Sequence, residues 1–301
     1  MLRQLHRHSI WQNASLPPVG VEVNLTHPRA KNLLGCWVPH APGLRGAVYN
    51  SPGSAPVLMR DLSVHRRDGQ FNRGPIANQT DGKWVVDRAG SGFYLDGGDY
   101  GRFDVAAKRA TDWDFVGAFT LMCRIRLNVL DTGNASNRVF VGRSDGAGGG
   151  SKKWWWAWTL NGYATVPAKR LLLYNVPQPT GEDPRSTVQW DPNTTDIYTM
   201  ALTRDADKML RFYVDGSQLG DSVTSTLPMS IPNDLDLSWG FGEDFGSNLA
   251  GTFFWMKAWA RDLSPQEVLA EHRSPWEMLR LPMSTAGGSA ARGARVRAFW
   301  Y

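Results

Sequence analysis

The sequence has little of the features that would define a protein class at once. Only two of its 301 residues are cysteine, which excludes a disulfide-stapled scaffold, and we expect Cys36 and Cys123 to be free, buried thiols. No run of about 18 apolar residues is present, so we expect no membrane-spanning segment. The first residues, MLRQLHRHSIWQ, lack the apolar stretch of a signal peptide, which predicts a protein that is made in the cytoplasm and not exported by that route.

The central part of the chain has no excess of charge of either sign. The formal net charge is +5, but residues 1–30 hold three arginines against one glutamate, and residues 280–301 hold four arginines and no acid. Residues 31–279 are left with 26 basic and 27 acidic side chains. The excess therefore lies at the two ends, where it either solubilises the chain or meets an acidic partner. A neutral body of this kind does not indicate a nucleic-acid partner.

The chain is rich in glycine, proline and tryptophan, with 31, 18 and 14 residues, and its apolar residues alternate. From Phe119 to Leu127 the odd-numbered residues are apolar and are predicted to face inward, whereas Arg124 and Arg126 face outward on a solvated or ligand-facing surface. Residues 198–203 and 209–214 alternate in the same way, and Asp215-Gly216 predicts a tight hairpin turn after the second run. The sequence therefore predicts an antiparallel β protein.

One short helix and two terminal arms complete the predicted organisation. Ser264 and Glu267 form a capping box with proline at the first helical position, and Pro275 ends the helix. Residues 1–32 are predicted to be an N-terminal arm, residues 33–279 the globular domain, and residues 280–301 a basic Gly/Ala/Arg tail. We expect the tail to dock on a partner through Arg292, Arg295, Arg297, Phe299, Trp300 and Tyr301.

A row of tryptophans marks one predicted strand. Alternation places Trp154, Trp156 and Trp158 on one face and Trp155 on the other. If exposed, the row would be a platform for stacking sugar rings, with Arg124 and Arg126 as further ligand-binding candidates. If buried, the same row would fill the core of a sandwich, and we favour that interpretation.

The order of several short motifs resembles laminin-G-like, concanavalin A-like lectin and glucanase jelly rolls, of the kind found in tailed-phage virion proteins. The motifs are Asp61–Ser63, Asp68–Phe71, Tyr94–Tyr100, Phe119–Ile125, Phe212–Gly216 and Asp262–Glu267, and the resemblance covers about residues 33–279. It implies an all-β fold, a two-sheet antiparallel jelly-roll sandwich. The ending Ser274–Pro282 resembles the close of such domains in tailed-phage proteins.

The resemblance raises two chemical questions. Glucan hydrolases of this fold carry two carboxylates on one strand in the pattern Glu-x-Asp-x-x-Glu. The chain has six glutamates (22, 182, 243, 267, 271 and 277), and none begins that pattern, so we predict that it is not an enzyme. Some relatives hold a structural calcium ion, and Asp61, Asp96 and Asp99 would be its ligands here. Phe254 and Trp255 stand where relatives carry acids, so turn-forming roles for the three aspartates are preferred to a metal site.

Two roles follow for the chain. The first is a non-catalytic virion structural protein of a tailed phage, a capsid decoration or other surface component that docks through its arms onto capsid or tail proteins or onto copies of itself. The alternative is a glycan-binding module of a phage tail or fibre, which would contact a surface glycan through the tryptophan row and the outward arginines.

Overall fold

A computed structural model of the chain describes residues 21–38, 58–73, 83–87, 90–96, 101–105, 113–128, 137–144, 153–159, 168–176, 184–225, 236–240 and 249–280. Antiparallel strands dominate these ranges, as the alternating sequence predicted. In the described part of the chain, no helix is long and apolar enough to cross a membrane.

Two sheets form the body, and we call them sheet I and sheet II. Sheet I is built around its longest strand, which pairs with three others through its two edges. The strands of sheet I are β2 (Leu33–Val38), β5 (Lys83–Asp87), β6 (Gly90–Asp96), β8 (Phe119–Leu127), β12 (Tyr198–Arg204), β13 (Met209–Val214), β14 (Ser217–Gln218), β15 (Val223–Thr224) and β17 (Ala250–Trp259). All ten residues of β17 are buried, in keeping with its central position in the sheet.

Sheet II contains the tryptophan strand near one end. In spatial order it comprises β4 (Gly69–Arg73), β7 (Gly101–Val105), β16 (Leu237–Trp239), β9 (Asn137–Ser144), β10 (Lys153–Thr159) and β11 (Arg170–Val176). A short strand, β3 (Leu58–Asp61), pairs with β2 on one side and with β4 on the other. It joins the two sheets at one corner, so the fold is an antiparallel, jelly-roll-like sandwich.

The main core lies between the two sheets. The predicted inward face of β8 is confirmed, because its five odd-numbered residues belong to this core and are fully buried. Trp37 of sheet I meets Trp239 of sheet II with ring centroids 5.9 Å apart, in a tilted arrangement that aromatic pairs favour. Cys36 and Cys123 are free and buried, as predicted, and burial raises the pKa of the Cys36 thiol to about 12.

The outer face of sheet I carries a second apolar layer. Helix α1 (Pro265–Arg273) starts at the predicted capping box, in which Ser264 and Glu267 cap each other's backbone N–H, and it ends before Pro275. Its Val268 packs with Met122, Tyr213 and Trp276 in this layer. The helix therefore covers part of a face that alternation alone would assign to solvent.

Residues at both ends of the described chain belong to this second layer. Residues 21–32, predicted as an arm, include β1 (Glu22–Val23), which pairs with β18 (Leu279–Arg280). The Trp259 indole N–H donates to the Arg29 carbonyl over 2.7 Å. The segment thus packs on the sandwich, which differs from the N-terminal arm predicted for residues 1–32. Residues 1–20 and 281–301 lie outside the described residues.

Candidate functional site

The tryptophan row lies in the core. Trp154, Trp156 and Trp158 are at most 1% exposed, and they belong to the cluster between the sheets. Phe140 meets Trp156 edge-on at 5.0 Å. The ligand-binding hypothesis for these three residues is therefore wrong, because the face that holds them is the one that the sandwich must fill. The alternative interpretation as core is confirmed.

Exposed aromatic rings are also missing from the rest of the surface that the structure describes. The large apolar side chains that are exposed there are aliphatic: Leu25, Val64, Val116 and Val188. Trp155, on the opposite face of β10 from the row, is 3% exposed and stacks on Tyr174 at 4.0 Å. A ligand on these surfaces must be held chiefly by polar groups.

Asp61 organises a loop. Its side chain is buried, and its carboxylate accepts the N–H groups of Cys36, Ser63 and Arg67, each over 2.9 Å, and the Ser63 hydroxyl over 2.7 Å. These four donors satisfy the carboxylate, so the turn-forming role predicted for Asp61 is the one it has. A calcium role is thereby contradicted for Asp61, because its oxygens are occupied by protein donors.

The other predicted metal ligands and the tail lie outside the description. Asp96 ends β6, but its side chain and the whole of Asp99 are outside the described residues. The predicted docking residues Arg292, Arg295, Arg297, Phe299, Trp300 and Tyr301 are outside it as well. Within the described ranges, no group of three His, Cys, Asp or Glu side chains is arranged to hold a metal ion.

The predicted outward arginines lie together on the outer face of sheet I. Residues directly opposite each other on neighbouring strands project from the same face. Thr252 of β17 is opposite both Tyr94 of β6 and Arg126 of β8, which makes one row. In the next row, Arg124 of β8 is opposite Thr199 of β12.

We call this surface the arginine strip. It consists of the two rows together with the two groups that border Thr199, namely Tyr94, Thr252, Arg126, Arg124, Thr199, Asp215 and His272. Tyr94, Arg124, Arg126, Asp215 and His272 are half-buried, and Thr199 and Thr252 are buried between them. The strip thus presents donors, acceptors and one aromatic ring.

Hydrogen bonds fix one end of the strip. The Thr199 N–H donates to Asp215 Oδ1 over 2.8 Å, and His272 Nδ1 lies 3.0 Å from Thr199 Oγ1. His272 Nδ1 is also 3.8 Å from Asp215 Oδ1. Asp215 and Gly216 adopt the left-handed backbone with φ of 51° and 80°, which confirms the predicted turn.

Close packing between the turn and the helix positions Asp215 relative to His272. A Cβ on Gly216 would lie 3.0 Å from the Leu269 Cα of α1, so only glycine allows the helix to approach the hairpin this closely.

A buried ionic network holds α1 in place. Glu271 is fully buried and pairs with Lys257 of β17 over 2.5 Å and with Arg29 over 2.7 Å. Lys257 also lies over the rings of Trp255 and Trp276, at 4.8 and 5.2 Å from their centroids, and donates to the Pro275 carbonyl. The network ties the helix to sheet I and to the N-terminal segment, and so it fixes His272 on the last turn of the helix.

The charges of the strip are partly removed from water. Burial lowers the pKa of the Arg124 guanidinium from its ordinary value, and the negative charge of Asp215 opposes that effect. Arg124 Nε is buried and forms no hydrogen bond with a described residue. Burial also lowers the pKa of His272; Asp215 opposes that effect, and Arg124 and Arg273 lower the pKa further.

The described glutamates are all engaged in ion pairs. Glu22 pairs with Arg280, Glu267 with Arg261, and Glu271 and Glu277 with Arg29. Hydrogen bonds from Arg261 hold the pKa of Glu267 below its usual value, whereas a glycosidase acid needs a raised pKa. These four residues therefore serve the fold, and Glu182 and Glu243 lie outside the description.

The sequence identified Arg124 and Arg126 but missed the rest of the strip. Alternation marks which residues face outward on one strand, but only the register between strands brings Tyr94, Thr252 and Thr199 beside them. His272 is isolated in the sequence, and around Asp215 the sequence predicts only two alternating strands and a turn. Asp215, within that stretch, is part of the strip.

Comparison with known proteins places the fold. No protein-family model matches the chain, and no curated protein matches it in sequence. The binding domain of Paraclostridial Mosquitocidal Protein 1 is similar in structure, with a TM-score of 0.54 and 14% identity over 82% of this chain and 53% of that one. Trypanosoma rangeli sialidase is also similar in structure, with a TM-score of 0.51 and 16% identity over 89% of this chain and 38% of the enzyme.

The binding domain of botulinum neurotoxin serotype G is a further similar structure, with a TM-score of 0.52 and 11% identity over 80% of this chain and 50% of that one. The chain thus spans about half or less of these proteins. At such low identity the likeness shows the fold alone, which is an antiparallel β-sandwich shared with these two binding domains and part of the sialidase.

Proposed function

We propose that the chain is a non-catalytic carbohydrate-binding module and that the arginine strip is its sugar-contacting surface. The observation that carries the proposal is the strip itself, a half-buried row of donors and acceptors on the outer face of sheet I. The similar structures are consistent with it, since one of them is Trypanosoma rangeli sialidase in complex with sialic acid and two are toxin binding domains.

The chemistry of the strip suits a sugar. Sugar hydroxyls both donate and accept, so they need arginine donors next to carboxylate and hydroxyl acceptors. Arg124 and Arg126 supply the donors, Asp215 supplies an acceptor, and the half-buried ring of Tyr94 offers an apolar surface for a pyranose face. Backbone pairing fixes the spacing of Tyr94, Arg124 and Arg126, because they stand on strands of one sheet, and the hairpin turn holds Asp215 next to Thr199.

A glycan array probed with the full chain tests this function. We expect saturable binding to a subset of glycans, and Arg126→Gln weakens it by about tenfold, since it removes a charged hydrogen-bond donor. Arg60→Gln removes the same charge from an exposed position on β3 and leaves binding unchanged. A fluorogenic sialoside incubated with the chain should release no fluorophore. Absence of binding of the wild-type chain to every glycan on the array would rule out the function.

The virion role remains a second proposal, and it rests on the closing residues Ser274–Pro282 and on the basic ends of the chain. Within that closing segment, Trp276 is buried against Trp255, and Pro275 accepts a bond from Lys257, so part of the motif serves the fold. Its test is truncation of residues 282–301. We expect loss of binding to phage particles with an unchanged melting temperature, and particle occupancy equal to that of the full chain would contradict the role.

A further inference from the structure

Arg124 has a capacity for hydrogen bonding that the described residues do not use. It lies on β8 between Thr199 and Trp255, and its Nε is buried without an acceptor. A cation that is partly removed from water needs hydrogen bonds and opposite charge to compensate. Asp215 acts on it through its charge, but no described residue accepts a hydrogen bond from it. Among the residues that the structure describes, the guanidinium therefore lacks a matched acceptor.

One acceptor near Arg124, the Oδ1 atom of Asp215, is already engaged. Asp215 Oδ1 takes the Thr199 N–H and lies beside His272, whose Nδ1 is held by the Thr199 hydroxyl. Asp215 is anchored at a turn that the helix packs against. Among the described residues, Arg124 thus has the charge of Asp215 nearby but no hydrogen-bond acceptor of its own.

We infer that this end of the arginine strip binds a carboxylate of a sugar acid, with Arg124 as its partner and His272 gaining a proton as it binds. The inference rests on the proposed function and names its ligand class. A guanidinium presents a planar pair of N–H donors that matches the two oxygens of a carboxylate better than it matches single hydroxyls. Arg126 adds a second positive charge along the same strand, so the local charge favours an anion despite Asp215.

The proton linkage follows from the charges that face His272. These are Asp215 from the hairpin, Arg124 from β8 and Arg273 from its own helix, with the Thr199 hydroxyl on β12. A bound carboxylate offsets the positive charge of Arg124, which favours the protonated imidazole and raises the pKa of His272. Because such coupling is reciprocal, sugar-acid affinity increases as the pH falls through the pKa of His272. Protonated His272 also offsets the negative charge of Asp215, which weakens the repulsion between Asp215 and the bound carboxylate.

The test is an NMR titration of the full chain that follows the His272 ring signals with glucuronate, glucose and acetate as probes. We expect glucuronate to shift these signals and to bind about two- to fivefold more tightly at pH 5.5 than at pH 7.5, the effect of one neighbouring charge. Arg124→Gln should weaken glucuronate binding by about tenfold or more, and His272→Gln should abolish its pH dependence. Arg60→Gln is the matched control, and melting temperatures confirm that each variant is folded.

Several outcomes would overturn the inference. Unmoved His272 signals with glucuronate, or wild-type affinity in Arg124→Gln, would show that no carboxylate binds there. Equal affinity for acetate and glucuronate would show that the sugar contributes nothing. If the array detects neutral glycans and glucuronate does not bind, the inference fails while the proposed function stands. If no glycan binds in either experiment, both fail.

Discussion

Replacing Glu271 by glutamine probes the ionic network that holds helix α1 on sheet I. The substitution keeps the shape of the side chain but removes the one carboxylate that pairs with both Lys257 and Arg29. Lys257 and Glu271 have side chains that are 0% exposed, so Lys257 keeps a buried charge without its counter-ion. Removing one partner of a buried pair costs about 3–5 kcal/mol. At roughly 2–4 °C per kcal/mol for a domain of this size, the melting temperature should fall by about 6–20 °C.

The matched control is Glu277→Gln, which removes the other carboxylate that binds Arg29. Its distance to Arg29 is 2.5 Å, but the Glu277 side chain is 45% exposed, so water compensates for the loss. We expect a cost below about 1 kcal/mol. Urea unfolding of both variants measures the difference. Similar midpoints would refute the argument that burial, and not contact distance, sets the cost. In the Glu271→Gln background, Lys257→Met should recover part of the lost stability because it removes the stranded charge.

Three further predictions concern turns, loops and protons. Gly216→Ala should lower the free energy of unfolding by about 1–3 kcal/mol, because the φ of Gly216 is +80° and helix α1 leaves no room for a Cβ. Gly117→Ala is the control in the same urea experiment and should be neutral, because a Cβ at Gly117 would lie in open space. Asp61→Asn should lower the free energy of unfolding by about 1–3 kcal/mol, because buried N–H groups lose their acceptor. EDTA should leave the melting temperature of the wild-type chain unchanged. A melting temperature that depends on calcium would contradict the loop-organising role of Asp61. Burial lowers the folded pKa of His27 and His272 below the ordinary histidine value of about 6.5. The unfolded chain therefore binds protons more readily, and stability should fall as the pH drops through that value. Urea midpoints at pH 5 and 7.5 check the sign, and His272→Gln should reduce the loss.

Local sequence determined much of the fold. Alternation along β8 separated the residues of the main core from Arg124 and Arg126, and the capping box at Ser264 placed the start of the helix. Asp215-Gly216 predicted the hairpin turn, because both residue types tolerate a positive φ. These features depend on contacts within a few residues, which is why the sequence alone could indicate them.

Features that depend on distant pairing could not be predicted in this way. Arg29 and Glu271 are 242 residues apart, so nothing in the local pattern around Arg29 indicated that its segment would pack on the sandwich. The second apolar layer hides Met122 although alternation assigns it to an outward face. His272 joins Thr199 across 73 residues, and that contact defines one end of the candidate site.

The tryptophan row shows the limit of pattern on a single strand. Alternation placed Trp154, Trp156 and Trp158 on one face, but it could not decide whether that face met solvent or the opposite sheet. Sheet I covers that face, so the three tryptophans are buried. Alternation left the same question open for the outward face of β8, where Arg124 and Arg126 remain half-buried at the surface.

Calorimetric titration of the full chain with a glycan selected from the array measures whether the arginine strip binds sugar. We expect saturable binding that the double variant Arg124→Gln, Arg126→Gln loses, while Arg60→Gln retains wild-type affinity. Full affinity in the double variant would show that the sugar binds elsewhere on the molecule and not at the arginine strip.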